Sequence, residues 1–179
     1  SLVFSPMKDV FAQSAPITIE SALRSQAIAL SYSKNEKDEI VIEGPSKLVS
    51  VIEKHFELIL IDELSFFSPS GKAGEIFEIP VSATDSETER IFLVGLGDKS
   101  LPSIRLAAAA IGRKVRGKNI KVFSACTDGV DELHAFAVSL TLGTYVWNLK
   151  TDMDMKYPEL FLATNDQETL HDAVVIAKA

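Results

Sequence analysis

Imidazoles, paired carboxylates and a thiol are the groups in this chain whose chemistry could do more than hold a fold. The three histidines, His55, His134 and His171, fall on three separate stretches of helical pattern. None has a second His, Cys or carboxylate at the i+4 spacing with which a helix grips a metal ion. They read as surface or internally satisfied residues. Asp152 and Asp154 form a D-x-D pair that could hold a divalent cation through hard oxygens, but no third carboxylate or turn glycine follows, so solvated loop carboxylates are expected. Cys126 has no neighbour in sequence that would lower its pKa, and a small buried thiol at a strand end is the expectation. On these residues the chain carries no catalytic set and no metal site of its own.

Two further patterns could bind an anion. The first is the turn Gly95-Leu96-Gly97-Asp98, between the apolar run Arg90-Ile91-Phe92-Leu93-Val94 and an alanine-rich helix opened by Ser100 and Pro102. Backbone N–H groups and the helix dipole converge at such a turn, which makes Gly95, Gly97 and Asp98 the candidate nucleotide-binding residues. The third glycine of the dinucleotide fingerprint and the Gly-Lys-Ser/Thr ending of a P-loop are both missing. A plain tight turn, with glycine supplying positive φ, is the competing reading. The second pattern is a cationic run: Arg113, Lys114, Arg116, Lys118 and Lys121 lie within nine residues. It could meet phosphate or a neighbouring subunit, yet cations in the last turn of a helix also complement its negative end, and Gly117 is a natural stop. No aromatic residues are interleaved as a single-stranded nucleic-acid surface would need.

Composition narrows the classes. The 179 residues carry 25 Asp and Glu against 18 Lys and Arg, a net charge of −7 that opposes any global attraction to nucleic acid or anionic membrane. One cysteine excludes an internal disulfide and a cysteine-based zinc cage. No apolar run reaches the ~18 residues a membrane span takes, and no basic-then-hydrophobic leader opens the chain. A cytoplasmic protein is expected. Ser1 in place of Met predicts a few residues before it.

The elements that must position these groups alternate between strand and helix. Residues 1–16, with Pro6 and Pro16, form an unpatterned lead-in. Ile17-Thr18-Ile19 and residues 27–32 read as short strands, with a loop or a turn of helix between them. Ile40-Val41-Ile42 is β-compatible, and Gly44-Pro45 stops it. Leu48, Val49, Ile52 and Phe56 then share a helical face with Ser46 as N-cap. Residues 58–67 suit either a buried strand or a continuation of that helix, with helix preferred. Residues 75–81 alternate like an edge strand ending at Pro80, joined through a polar turn to the run at 90–94 as a hairpin. A helix follows with Ile104, Ala107, Ala108, Ile111 and Val115 on one side; then a strand at 119–125, a helix from Asp128-Gly129 through Trp147, a strand at 158–164, and a last helix capped by Asn165 or Asp166. Strands separated by helices pair in parallel through crossovers, so the class is α/β. The last helix is apolar on more than one side and meets Ala179 without a cap, which predicts that it runs on into something else.

Several of these segments, taken in order, resemble the N-terminal domain of the leucyl aminopeptidase (cytosol aminopeptidase, M17) family. They are Gly71-Lys72-Ala73-Gly74-Glu75 before a strand, Phe92-Leu93-Val94-Gly95-Leu96-Gly97 before the alanine-rich helix, and the stretch from Leu142-Gly143-Thr144 through Trp147 to Thr151. The resemblance extends from about Ala27 to Ala179, is weak over residues 33–67, and departs from the family at Trp147, where phenylalanine is commoner.

The resemblance implies a macro-domain-like, three-layer α/β/α fold with a mixed, largely parallel sheet over residues 1–165, and the start of an interdomain helix at 166–179. It implies a parent enzyme that releases N-terminal amino acids from peptides in the cytoplasm. Two divalent metal ions, zinc or manganese, would lie in a C-terminal catalytic domain that partners this one, within a homo-oligomer, a hexamer. No segment here matches the family's metal-binding motif, so no active-site residue carries over. The same resemblance makes ADP-ribose or a related nucleotide the alternative ligand at the Gly95–Asp98 turn, where strand ends meet a helix. Contact with DNA through the cationic run is the third idea, one that the net charge opposes.

Overall fold

A computed structural model describes residues 12–145 and 156–165. Among these residues seven strands form one sheet in the order β1-β7-β6-β2-β5-β4, with β3 attached to β2 off that path. Its centre is β2 (Ala27–Lys34), buried from Ala27 through Ser33. Along one flank β2 pairs in parallel with β5 (Arg90–Gly95) over its first six residues. Along the other it pairs in parallel with β6 (Lys121–Ser124) only at Ala27 to Ala29. From Ser31 to Lys34 that flank passes to the antiparallel β3 (Ile40–Glu43). The flank therefore forks near Leu30, and the gap between the end of β6 and the end of β3, at Glu43, opens at the C-terminal end of the parallel strands.

The edges confirm a mixed sheet. β4 (Ile76–Pro80) runs antiparallel beside β5 as the predicted hairpin, with Pro80 opposite Arg90 at its end. β7 (Glu159–Ala163) lies parallel to β6, and β1 (Ala12–Ala15) parallel to β7. β1 falls inside the stretch expected to be unpatterned. Its Ala-Gln-Ser-Ala sequence has no β-branched residue, and the ladder to β7, not propensity, makes it a strand.

Period-2 alternation separates two cores. Ala27, Ala29, Phe92, Val94, Val122, Leu160 and Leu162 face α4 (Leu101–Val115) and α5 (Val130–Gly143). Ile28, Leu30, Tyr32, Ile91, Leu93 and Phe123 face α1 (Ile19–Leu23), α2 (Ser46–Phe56) and α3 (Leu60–Ser65). Helices thus cover both sides of the sheet. Where α4 crosses α5, a Cβ on Gly112 would stand 2.7 Å from the Leu140 carbonyl oxygen and one on Gly143 3.0 Å from that of Ala109. Only glycine permits so close an approach of two helix backbones.

Four local readings change. Ile17-Thr18-Ile19 is not a strand: the Thr18 hydroxyl accepts from the Ser21 amide at 3.2 Å and caps α1, since a capping threonine favours the helix start it can satisfy. Pro45 holds the N-cap position of α2, and Ser46 is the first residue inside the helix. Residues 58–67 do not continue α2, because Glu57 turns left-handed at φ 55° and ends it. The chain restarts as α3, whose first amide, that of Leu60, donates to the Glu53 carboxylate at 2.8 Å. The helix predicted through Trp147 closes at Gly143. Trp147, the Asp152/Asp154 pair, His171 and the last predicted helix lie outside the described residues. Among the described residues no helix is long and apolar enough to cross a membrane.

Candidate functional site

The C-terminal ends of β2 and β5 meet the start of α4 where ligands sit in open α/β sheets. Here the chain has filled the position itself. The loop at residues 70–75 lies on the Gly95 turn: the Gly74 amide donates to the Gly95 carbonyl at 3.0 Å, the Gly95 amide to Glu75 at 2.7 Å, and the Gly97 amide to Gly71 at 3.1 Å. A Cβ on Gly95 would fall 2.3 Å from the Lys72 carbonyl oxygen, so glycine is required there for close approach. Gly97, at φ +56°, supplies the left-handed turn.

Several of the neighbouring donors are also engaged. The amide of Leu96 continues the ladder to Tyr32 at 2.9 Å, and that of Lys99 bonds Leu96 at 3.0 Å. Asp98 Oδ1 accepts from the Ser100 amide at 3.0 Å and the Ser103 hydroxyl at 2.7 Å, while Ser100 caps α4 as predicted. Hydrogen bonds from Ser100 and Ser103 hold the Asp98 carboxyl down at about 2. Gly95, Gly97 and Asp98 are brought together, but around the chain's own loop and carboxylate. The geometry gives the nucleotide reading no support.

Beneath the turn, Glu75 organises the loop. Its carboxylate accepts from the Tyr32 hydroxyl at 2.6 Å, the Ser70 amide at 2.9 Å, the Gly71 amide at 3.1 Å and the Ser70 hydroxyl at 2.7 Å. Desolvation pushes Glu75 up, yet these donors outweigh it and leave the group below the usual carboxylate range. Tyr32 moves the other way: burial, then the bond to Glu75 and its charge, raise it.

At the fork in the β2 flank lies a cleft of about 300 Å³, floored by Leu96, Ile104 and Cys126. The ion pair of Lys99 Nζ with Glu43 Oε1, at 2.5 Å, stands in its wall, and the Ser33 hydroxyl donates to the same oxygen at 2.6 Å. Burial raises Glu43, but Lys99 and Ser33 more than offset it, and the group ends below its ordinary value. Lys99 takes φ 63°, a strained conformation for a side chain-bearing residue. Asp128 and Glu132 complete the rim. Three carboxylates against one lysine, itself paired, repel a phosphate chain. Cys126 is buried, its thiol raised by desolvation, the inert state expected of it.

The other candidates stand apart. His55 on α2 approaches Asp85 at 3.2 Å in an open groove at the opposite end of the sheet, and His134 sits on α5 across the sheet from it. Arg116, though exposed, reaches the end of α5, its Nε and Nη2 donating to the Gly143 carbonyl at 3.1 and 2.9 Å. Among the described residues no three His, Cys, Asp or Glu stand together so as to hold a metal ion. Sequence reasoning missed the Tyr32–Glu75 and Glu43–Lys99 pairs. The only signal for the first was the Gly-x-x-Gly-Glu pattern at residues 71–75, and nothing marked the second.

Comparison with known proteins places this geometry. No curated protein matches the chain by sequence. Among solved structures, a mutant of tomato leucine aminopeptidase superposes with a TM-score of 0.67 at 18% identity, covering 99% of this chain and 37% of that one. The bottromycin maturation enzyme BotP in complex with Mn gives 0.58 at 16% identity over 86% of this chain and 30% of the other. A second structure of BotP gives 0.56 at 14% identity. At such identities the likeness is one of fold, and the chain spans roughly a third of the length of these relatives. The profile described as the cytosol aminopeptidase family, N-terminal domain, matches residues 21–151. With most of its length inside that match, the chain belongs to the cytosol aminopeptidase family, as that family's N-terminal domain.

Proposed function

We propose that this chain is the non-catalytic N-terminal domain of a cytosolic, metal-dependent leucyl aminopeptidase and serves the assembly, access or regulation of a catalytic domain that follows it. The match over residues 21–151 carries the reading. The internal use of the polar groups at the strand ends supports it: Glu75, Asp98 and Glu43 each accept from neighbours in the chain. Hydrolysis assisted by two metals needs converging carboxylates or imidazoles to hold the ions and acidify bound water. In this reading zinc or manganese is held by the catalytic domain, and the parent assembles as a hexamer.

Purified chain given manganese or zinc and an aminoacyl amide should release no amine, and the same chain joined to its following domain should. Metal-dependent hydrolysis by the chain alone, free of contaminating peptidase, would overturn the assignment. A larger protein lacking this chain that is fully active and normally assembled would overturn the supporting role.

A further inference from the structure

Two chambers of one groove meet at His55. The first, of about 560 Å³, lies between the end of α2 and residues 82–85, which lead out of β4. The second, of about 600 Å³, lies between α1 and α2. Val51, which is 42% exposed, His55 and Asp85 line both. The stretch at 82–85 is lightly held. Among the described residues no hydrogen bond ties it to another element, whereas from Glu87 onward the loop is fastened again: the Glu87 amide donates to the Leu23 carbonyl at 3.0 Å and the Thr88 hydroxyl to that of Ser25 at 2.8 Å. The polar tie left to the stretch is Asp85 Oδ1 against His55 Nε2, at 3.2 Å.

That tie depends on charge. The two atoms stand within ion-pair distance, yet Nε2 makes no hydrogen bond and is shielded from solvent, in a side chain 19% exposed. A charged ring there faces a carboxylate and attracts it. A neutral ring faces it without an aligned N–H or, in its other tautomer, with a lone pair, and the attraction is gone. The other charged groups around the pair are Glu20 and Arg24 on α1, Lys54 and Glu57 on α2, and Glu87 on the loop. None of them comes within ion-pair distance of His55 or Asp85, so neither partner is taken by another group.

We infer that the His55–Asp85 pair is a proton-operated latch: at mildly acid pH it pins residues 82–85 to α2 and divides the groove, and when the ring loses its proton the stretch lifts and the two chambers join. Carboxylates and imidazoles in general are both charged between about pH 4 and 6.5, and imidazoles lose their charge across the physiological range. Asp85 is 74% exposed, and pairs with so open a partner are weak, so the ratio of pinned to lifted stretch should change by about two-fold to five-fold and not as an all-or-none step. The inference does not rest on the aminopeptidase reading.

Methyl relaxation NMR of the 179-residue chain, read at Ala83 and Thr84, tests it, since methyl signals do not fade with amide exchange as pH rises. Their order parameters should be lower at pH 8 than at pH 5.5, while that of Ala107, buried on α4, stays constant. D85N and H55Q should both show at pH 5.5 the loosened stretch that the wild type shows at pH 8, and no further change between the two values. Circular dichroism verifies folding; if H55Q does not fold, D85N, at a residue 74% exposed, carries the test. A wild-type stretch equally ordered at both pH values, or a pH difference that persists in D85N, would overturn the inference.

Discussion

The two ends of α4 answer the same problem, what to do with polar groups beyond a buried helix, in opposite ways. At its start, amides, carboxylates and hydroxyls are bonded to one another: Asp98 to Ser100 and Ser103, Glu75 to Tyr32 and the loop at 70–75, Glu43 to Lys99 and Ser33. At its finish the Arg116 side chain is tied to Gly143, and among the described residues Arg113, Lys114, Lys118 and Lys121 are exposed. The contrast teaches that the end with the look of a ligand site spends its polar groups on holding the chain's own loop, while the end that looks like ordinary capping leaves its cations at the surface.

The largest test of that contrast is Gly95→Val. With backbone 2.3 Å from the new Cβ, the loop at 70–75 must leave its seat. A loss of about 3 kcal/mol or more is expected in urea unfolding, and an unchanged midpoint would show that the loop is not seated as described. Gly112→Ala, on the buried side of α4, should cost about 2 kcal/mol, because the Leu140 carbonyl cannot yield as a side chain could. Tyr32→Phe removes a donor from a carboxylate and should cost about 1–2 kcal/mol, with a chemical shift change at the Ser70 and Gly71 amides.

Acid should weaken the start of α4 selectively. Glu75 and Glu43 are held below their ordinary 4.5, and Asp98 at about 2 against 3.8. A carboxyl depressed in the folded state stabilises above its unfolded value, and that contribution is lost as pH falls through the folded one. Unfolding midpoints should therefore decline from about pH 4.5 down to about pH 2, and E75Q should flatten part of the decline. The smallest effect belongs to the other end. R113E/K114E/K118E/K121E should change stability by about 0.5 kcal/mol or less per position, as surface substitutions do, while Arg116→Ala should cost about 1 kcal/mol through the lost bonds to Gly143.

Much of the sheet was legible because β2, β5, β6 and β7 are apolar runs bounded by turn residues, a signal local to each strand. β1 was not, since Ala12–Ala15 becomes a strand through a partner at Leu160–Ala163. The break between α2 and α3 hid because one apolar pattern spans both, and the left-handed Glu57 leaves no mark in composition. At the candidate site, Gly95 and Gly97 were found, but a glycine turn reads alike whether its amides face a ligand or a loop. Tyr32 and Glu75 are 43 residues apart, and only the folded ladder brings them together.

The pairing of β1 with β7 has a consequence for biosynthesis. The first strand of the described residues can find its partner only after the last of them has emerged, so Ala12–Ala15 wait while the chain up to Glu159–Ala163 is made. The hairpin of β4 with β5 needs no such wait. Nascent chains arrested after Ser124 should accordingly protect the hairpin amides from exchange while those of Ala12–Ala15 stay open, and release of the full sheet should await the arrival of Glu159–Ala163.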